Sequence, residues 1–164
     1  MAIKVTGGKK YAKTGASIAK QAATAHIGVL EGATYTGERG TAAGLPVAQV
    51  AAYMEFGTED IEARHPMQRT ADKYGPLWSK GIVALIRGKA TQPDSITKAV
   101  ETVSEKAVKD MQQQIQSSNP PPLKPATIAN KRRKGRADPE QELIDTGTYQ
   151  QSIDREIFVK GKKR

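Results

Sequence analysis

The side chains in this chain of 164 residues that could do chemistry are few and scattered. Histidine occurs only as His26 and His65 and cysteine is absent, so a zinc site would have at most two soft donors, far apart in sequence. Gly88-Lys89 has neither the glycine-rich loop before it nor the Ser or Thr after it that a phosphate-binding loop needs. Gly37, Gly40 and Gly44 lack the dinucleotide-binding spacing, and no strand runs into a helix there. Glu59, Asp60 and Glu62 crowd a polar stretch, where solvated acids are the plain reading. No strand–turn–helix nucleophile elbow is present. The pattern makes no case for an enzyme, a cofactor or a bound metal.

Glu55 stands apart. It falls between Met54 and Phe56 at the end of a short apolar helix, where Val47, Val50, Ala51 and Met54 recur at helical spacing. A helix C-terminus disfavours an anion. Glu55 is therefore either a partly exposed acid or a carboxylate fed by backbone N–H groups or by an arginine such as Arg64 or Arg69. Gly57 suits the left-handed residue that ends such a helix, and a polar run from Thr58 leads to His65-Pro66, which directs the chain away from helical geometry. Downstream, Asp145 or Thr146 could cap a short turn, with Gly147 permitting close backbone approach. The cluster Lys131-Arg132-Arg133-Lys134-Gly135-Arg136 could grip phosphate, yet no recognition helix or aromatic stacking platform accompanies it. A solvated or subunit-bridging loop is the plainer reading.

The elements that must position these residues amount to one domain over 1–164, of α/β (α+β) class. Residues 1–8 read as a flexible lead, 9–25 as a modest helix, Ile27–Leu30 as a strand, and 31–45 as a glycine-rich loop. Apolar residues at helical spacing predict a helix over about 70–87, interrupted or kinked at Gly75-Pro76 and closed by Gly88. The clearest helix covers 94–117, with Asp94 as N-cap and Ile96, Val100, Val103, Ala107, Met111 and Ile115 along one face. Glu101 and Glu105 on the other face repel; Glu105 and Lys109 attract. The proline-rich, basic stretch 119–141 holds few apolar residues beyond Leu123 and Ile128. It is expected to stay mobile in a free subunit and to order on docking, with those two side chains as anchors. Alternation from Ile153 to Val159 predicts a last strand, and 160–164 a frayed basic tail. Together these imply a small, mostly antiparallel sheet, with an edge from residues near 40–62, packed by the two main helices and fringed by long extended loops.

The net charge of +9 points to an acidic partner: nucleic acid, an anionic surface or an acidic protein. The absence of cysteine excludes disulfides and agrees with a reducing compartment. No stretch approaches the length of a membrane span, and no apolar leader opens the chain, so no membrane partner is expected.

Three pieces in order, Ala51–Thr58 (with Glu55, Phe56, Gly57 and Thr58), Ala63–Thr70 (with Pro66) and Leu143–Ile153, resemble the head–tail joining proteins of tailed phages, the neck, tail-completion and tail-terminator proteins. A "LxPxTIxxK" pattern adds Leu123, Pro125, Thr127, Ile128 and Lys131. The resemblance implies a structural virion protein at the head–tail junction, assembled in the host cytoplasm. It would form a homo-oligomeric ring, a hexamer or dodecamer, between portal or adaptor and tail proteins, with genome DNA passing through. Two other readings stay open: a minor capsid or virion morphogenesis protein, and a basic non-specific nucleic-acid-binding module.

Overall fold

Two β-rich segments from opposite ends of the chain find each other. In the computed structural model, which describes residues 21–36 and 43–164, β1 (Ala23–Val29) pairs antiparallel with β2 (Ile153–Val159), Ala23 opposite Val159 and Val29 opposite Ile153. β2 then turns at Lys160-Gly161, both at positive φ (53° and 76°), the geometry that lets a two-residue hairpin follow the strand twist. It returns as β3 (Lys162–Lys163), giving the order β1-β2-β3. The basic tail expected to fray is thus a sheet edge. The Arg164 N–H donates to the Ile157 carbonyl at 2.8 Å, and its guanidinium meets Glu101 at 2.8 Å.

Two further expectations are corrected. Residues 43–62 supply no edge strand, only a bridge between Thr34 and Pro46 and then a helix. The end of the helix expected over 9–25 is strand, because pairing with β2 outweighs the helix preference of Ala23 and Ala25. The rest of that helix, and the lead at 1–8, lie outside the described residues.

Among the described residues there are five helices, which with the sheet make an α+β fold: α1 (Val47–Phe56), α2 (Pro66–Ile86), α3 (Ser95–Gln116), α4 (Pro125–Arg133) and α5 (Thr148–Gln151). Only one of the two main helices lies along the sheet. α3 packs on both β1 and β2, while α2 packs mainly on α3 and meets β1 at its start, where Met67 lies beside Gly28. The core gathers Val47 and Ala51 of α1, Met111 and Ile115 of α3, and Leu143, Tyr149 and Ile153. α2 runs through Gly75-Pro76 without a break, since its contacts with α3 outweigh the lost hydrogen bond. One of those contacts is polar: Trp78 Nε1 donates to buried Asp110 at 2.8 Å, and Lys106 pairs with the same carboxylate at 2.8 Å. On the solvent face, the Glu101–Glu105 repulsion is relieved by Arg164 and Arg155, the latter 2.7 Å from Glu105.

Helix ends follow the expected glycines better than the expected caps. Asp94 precedes α3 at φ 59° but its side chain makes no capping bond. Gly88 follows α2 at φ 71° with open space where a Cβ would stand. Gly57 follows α1 at φ 78°, and there a Cβ would lie 2.9 Å from the Ile61 carbonyl oxygen and 3.1 Å from the Ala63 nitrogen. Gly57 also has a ψ of 177°, outside the left-handed well and in a region kept almost wholly for glycine, so both conformation and contact bar a side chain there. Gly88→Ala should cost about 1–2 kcal/mol for the left-handed backbone alone. Gly57→Ala should cost clearly more, because the glycine-only conformation and the close backbone atoms both oppose a Cβ; equal urea midpoints for the two variants would refute this turn geometry.

Candidate functional site

α1 buries Val47, Ala51 and Glu55, one face at successive turns. Glu55 is buried because its carboxylate closes the start of another helix: Oε2 accepts the Met67 N–H at 2.8 Å and Oε1 the Gln68 N–H at 3.0 Å. These are the second and third residues of α2, whose early N–H groups have no partner within the helix. The residue before α2, His65, sits in left-handed geometry (φ 51°) and supplies no cap. Glu55 takes that place from a different element. Its charge faces the favourable end of the α2 dipole, which answers its awkward position at the end of α1.

Of the two partners open for Glu55, backbone N–H groups are the ones it has. Arg64 and Arg69 bind carbonyls instead. Buried Arg64 donates from Nε to Pro121 at 3.1 Å and from a terminal nitrogen to Glu62 at 3.3 Å, and Arg69 reaches Pro120 at 3.4 Å. The turn between α1 and α2 is tied at both ends. Gly57 N–H returns to Tyr53, Arg64 N–H to the Met54 carbonyl at 2.8 Å, and the Thr58 hydroxyl accepts the Ile61 N–H at 3.1 Å. Pro66 is buried at the first position of α2. Phe56, between two fixed residues, is held out in solvent at 79% exposure.

The stretch 119–141 does not behave as its composition predicts. A helix, α4, fills its centre, and the segment is anchored within its own chain. Asn119 is fully buried, its amide donating to the Gln114 carbonyl at the end of α3 at 2.9 Å. Lys131, 7% exposed, drives its ammonium into the Gln141 and Ile144 carbonyls at 2.6 Å each. Burial pushes the Lys131 pKa below that of an ordinary lysine, against the pull of Asp145, Asp138 and Glu142. Arg136 grips Asp145 through two bonds (2.8 and 3.1 Å), Arg132 pairs with Glu140 at 2.9 Å, and Arg133 binds Asn130. Lys134 makes no ion pair among the described residues. Leu123 and Ile128 are both half-buried in the isolated chain. The composition argument counted apolar side chains, whereas amides and cations satisfying backbone carbonyls do the anchoring.

These pieces border one open groove with a volume of about 710 Å³. Val50, Met54, Ile61, Leu123, Leu143 and Tyr149 form its apolar lining, and Lys124, Lys131, Lys134 and Arg136 its basic side. Asp145, Thr146 and Gly147 close one end, where the Thr146 and Thr148 hydroxyls meet at 2.7 Å and Gly147, at φ 81°, precedes α5. Of the residues singled out by sequence, Glu55, Phe56, Gly57, Thr58, Pro66, Ile128, Arg132 and Arg133 stay outside the lining. Val50, Tyr35 and Tyr149 were missed as lining residues; the spacing of Val50 and Met54 was visible, but which face would stay uncovered was not. No three His, Cys, Asp or Glu side chains gather among the described residues to hold a metal.

Tyr149 is buried, and its hydroxyl has no hydrogen-bond partner among the described residues. Burial, then the Glu55 and Tyr35 charges, push its pKa well above the ordinary tyrosine value. Burial and the Asp145 charge push Tyr35 up to about 12. No family model, curated protein or solved structure matches this chain.

Two outcomes test the geometry. Glu55→Ala strands two helix-start N–H groups and should lower stability by about 2–3 kcal/mol in urea; a loss within error of zero would remove Glu55 as the cap of α2. The phenols predict an alkaline limit. Both keep protons in the fold where the unfolded chain has lost them, so stability is complete below about pH 10 and falls as pH rises towards 12. Lys131 opposes this, adding stability with rising pH between its lowered pKa and the ordinary value of 10.5. Tyr149→Phe, which breaks no hydrogen bond, should flatten the fall above pH 10 at little cost below it; an unchanged slope would contradict the assignment.

Proposed function

We propose that this chain is a structural subunit of a phage head–tail connector, a neck, tail-completion or tail-terminator ring. The observation that supports this reading most is convergence. The three segments that resemble the head–tail joining family, with the Leu123–Lys131 pattern, are far apart in sequence yet border or brace one groove, cross-tied through Glu55, Arg64 and Lys131. Most of those residues bind backbone groups, so they shape a surface rather than arm a reactive site.

The nucleic-acid reading is weakened by the same contacts. In the run 131–136, Lys131, Arg132, Arg133 and Arg136 are engaged within the chain. Phosphate binding would have to compete with those partners.

In this reading the chain acts by fit, neighbouring subunits closing a ring between the portal side and the tail. Sedimentation of the purified chain at two concentrations should reveal a closed oligomer with an upper size limit. A phage lacking the chain should yield separate filled heads and tails by negative-stain microscopy. Joined particles without the chain would overturn the proposal, and salt-sensitive binding to arbitrary duplex DNA by a persistent monomer would favour the nucleic-acid module.

A further inference from the structure

We propose that the groove is a socket for a second copy of this chain, and that the plug is the exposed Phe56 turn. The proposal rests on the ring reading and deepens it by naming the contact. Phe56 is the most exposed large apolar side chain among the described residues, at 79%, and its backbone is flanked by two anchored residues. Glu55 on one side is fixed to α2, and Gly57 on the other is fixed by its close approach to Ile61 and Ala63. An aromatic on a fixed backbone loses only its two side-chain torsions when it docks, which favours it as an anchor.

Plug and socket cannot meet within one chain. At 3.6 residues per turn, Val50 and Met54, which line the groove, lie roughly 120–160° around α1 from Phe56. A contact between two different patches of one subunit is heterologous and repeats head to tail, closing into a ring when the rotation permits. The groove volume of about 710 Å³ accommodates a phenyl ring with flanking backbone, and Val50, Met54, Leu123 and Leu143 offer it apolar contacts. The socket's charges are divided between its sides: Lys124 and Lys134 on the α4 side make no ion pair among the described residues, although Lys124 donates to the Asp60 carbonyl at 3.3 Å, and Asp60 and Glu62 stand on the other side. Glu59, three residues past Phe56, makes no ion pair among the described residues either. An entering turn would bring that acid against those cations.

The absence of cysteine makes the contact directly testable. Chains carrying Phe56→Cys are mixed with chains carrying Leu123→Cys and oxidised mildly, beside a control mixture of Phe56→Cys with Val83→Cys, since Val83 is exposed on α2. The expected result is a mixed disulfide with Leu123→Cys well above the control. Phe56→Asp should weaken assembly by about 30-fold or more while leaving the urea midpoint unchanged, because the side chain touches solvent. If rings persist with Phe56→Asp and the cross-link stays at the control level, the socket is refuted while the ring reading stands. If the cross-link forms but growth stops at a dimer, the socket holds and the ring reading fails. A wild-type chain that stays monomeric at every concentration overturns both.

Discussion

The carboxylate of Glu55 is the constraint on which the rest of the arrangement depends. A helix start in a crowded interior leaves N–H groups that need an acceptor, and α2 receives one from the end of α1 rather than from its own flank. That bond fixes the angle between the two helices and the path of the nine residues joining them. Gly57 is required because the path is tight, and Phe56 faces water because both its neighbours are held. One wall of the groove follows from the same turn, through Met54, Ile61 and Arg64.

The second wall is built by a related device. Nine polar or charged residues are buried among those described, nearly as many as the ten apolar ones with Pro66 included, so apolar burial alone does not define this interior. Buried cations and amides instead satisfy carbonyls that have left regular structure: Arg64 on Pro121, Lys131 on Gln141 and Ile144, Asn119 at the end of α3. Each such group costs free energy to desolvate and recovers it only with the geometry complete. Segments held this way tolerate proline and exposed charge, and the groove between them keeps its shape in a single chain.

The two walls also explain the division of the basic run. Lys131 in α4 and Arg136 just beyond it turn to carbonyls and an acid, while Lys134 keeps its charge for the groove. A positive stretch in the sequence thus becomes mainly scaffold, with a small residue of unpaired charge beside an apolar lining.

What the sequence by itself determined is local. Helical spacing defined α1 and α3, alternation defined β2, and Gly57 and Gly88 marked helix ends that demand positive φ, because those signals depend on neighbours a few residues away. For Glu55 the sequence left two readings, a partly exposed acid or a carboxylate in need of donors, since the helix dipole opposes it where it stands. Only the tertiary structure decided who its donors are, because the Met67 and Gln68 N–H groups become available through the orientation of α2. The same holds for the order of 119–141, the pairing of the tail with β2, and the continuity of α2 through Pro76. In each case the deciding partner is remote in sequence, and composition within the segment carries no information about it.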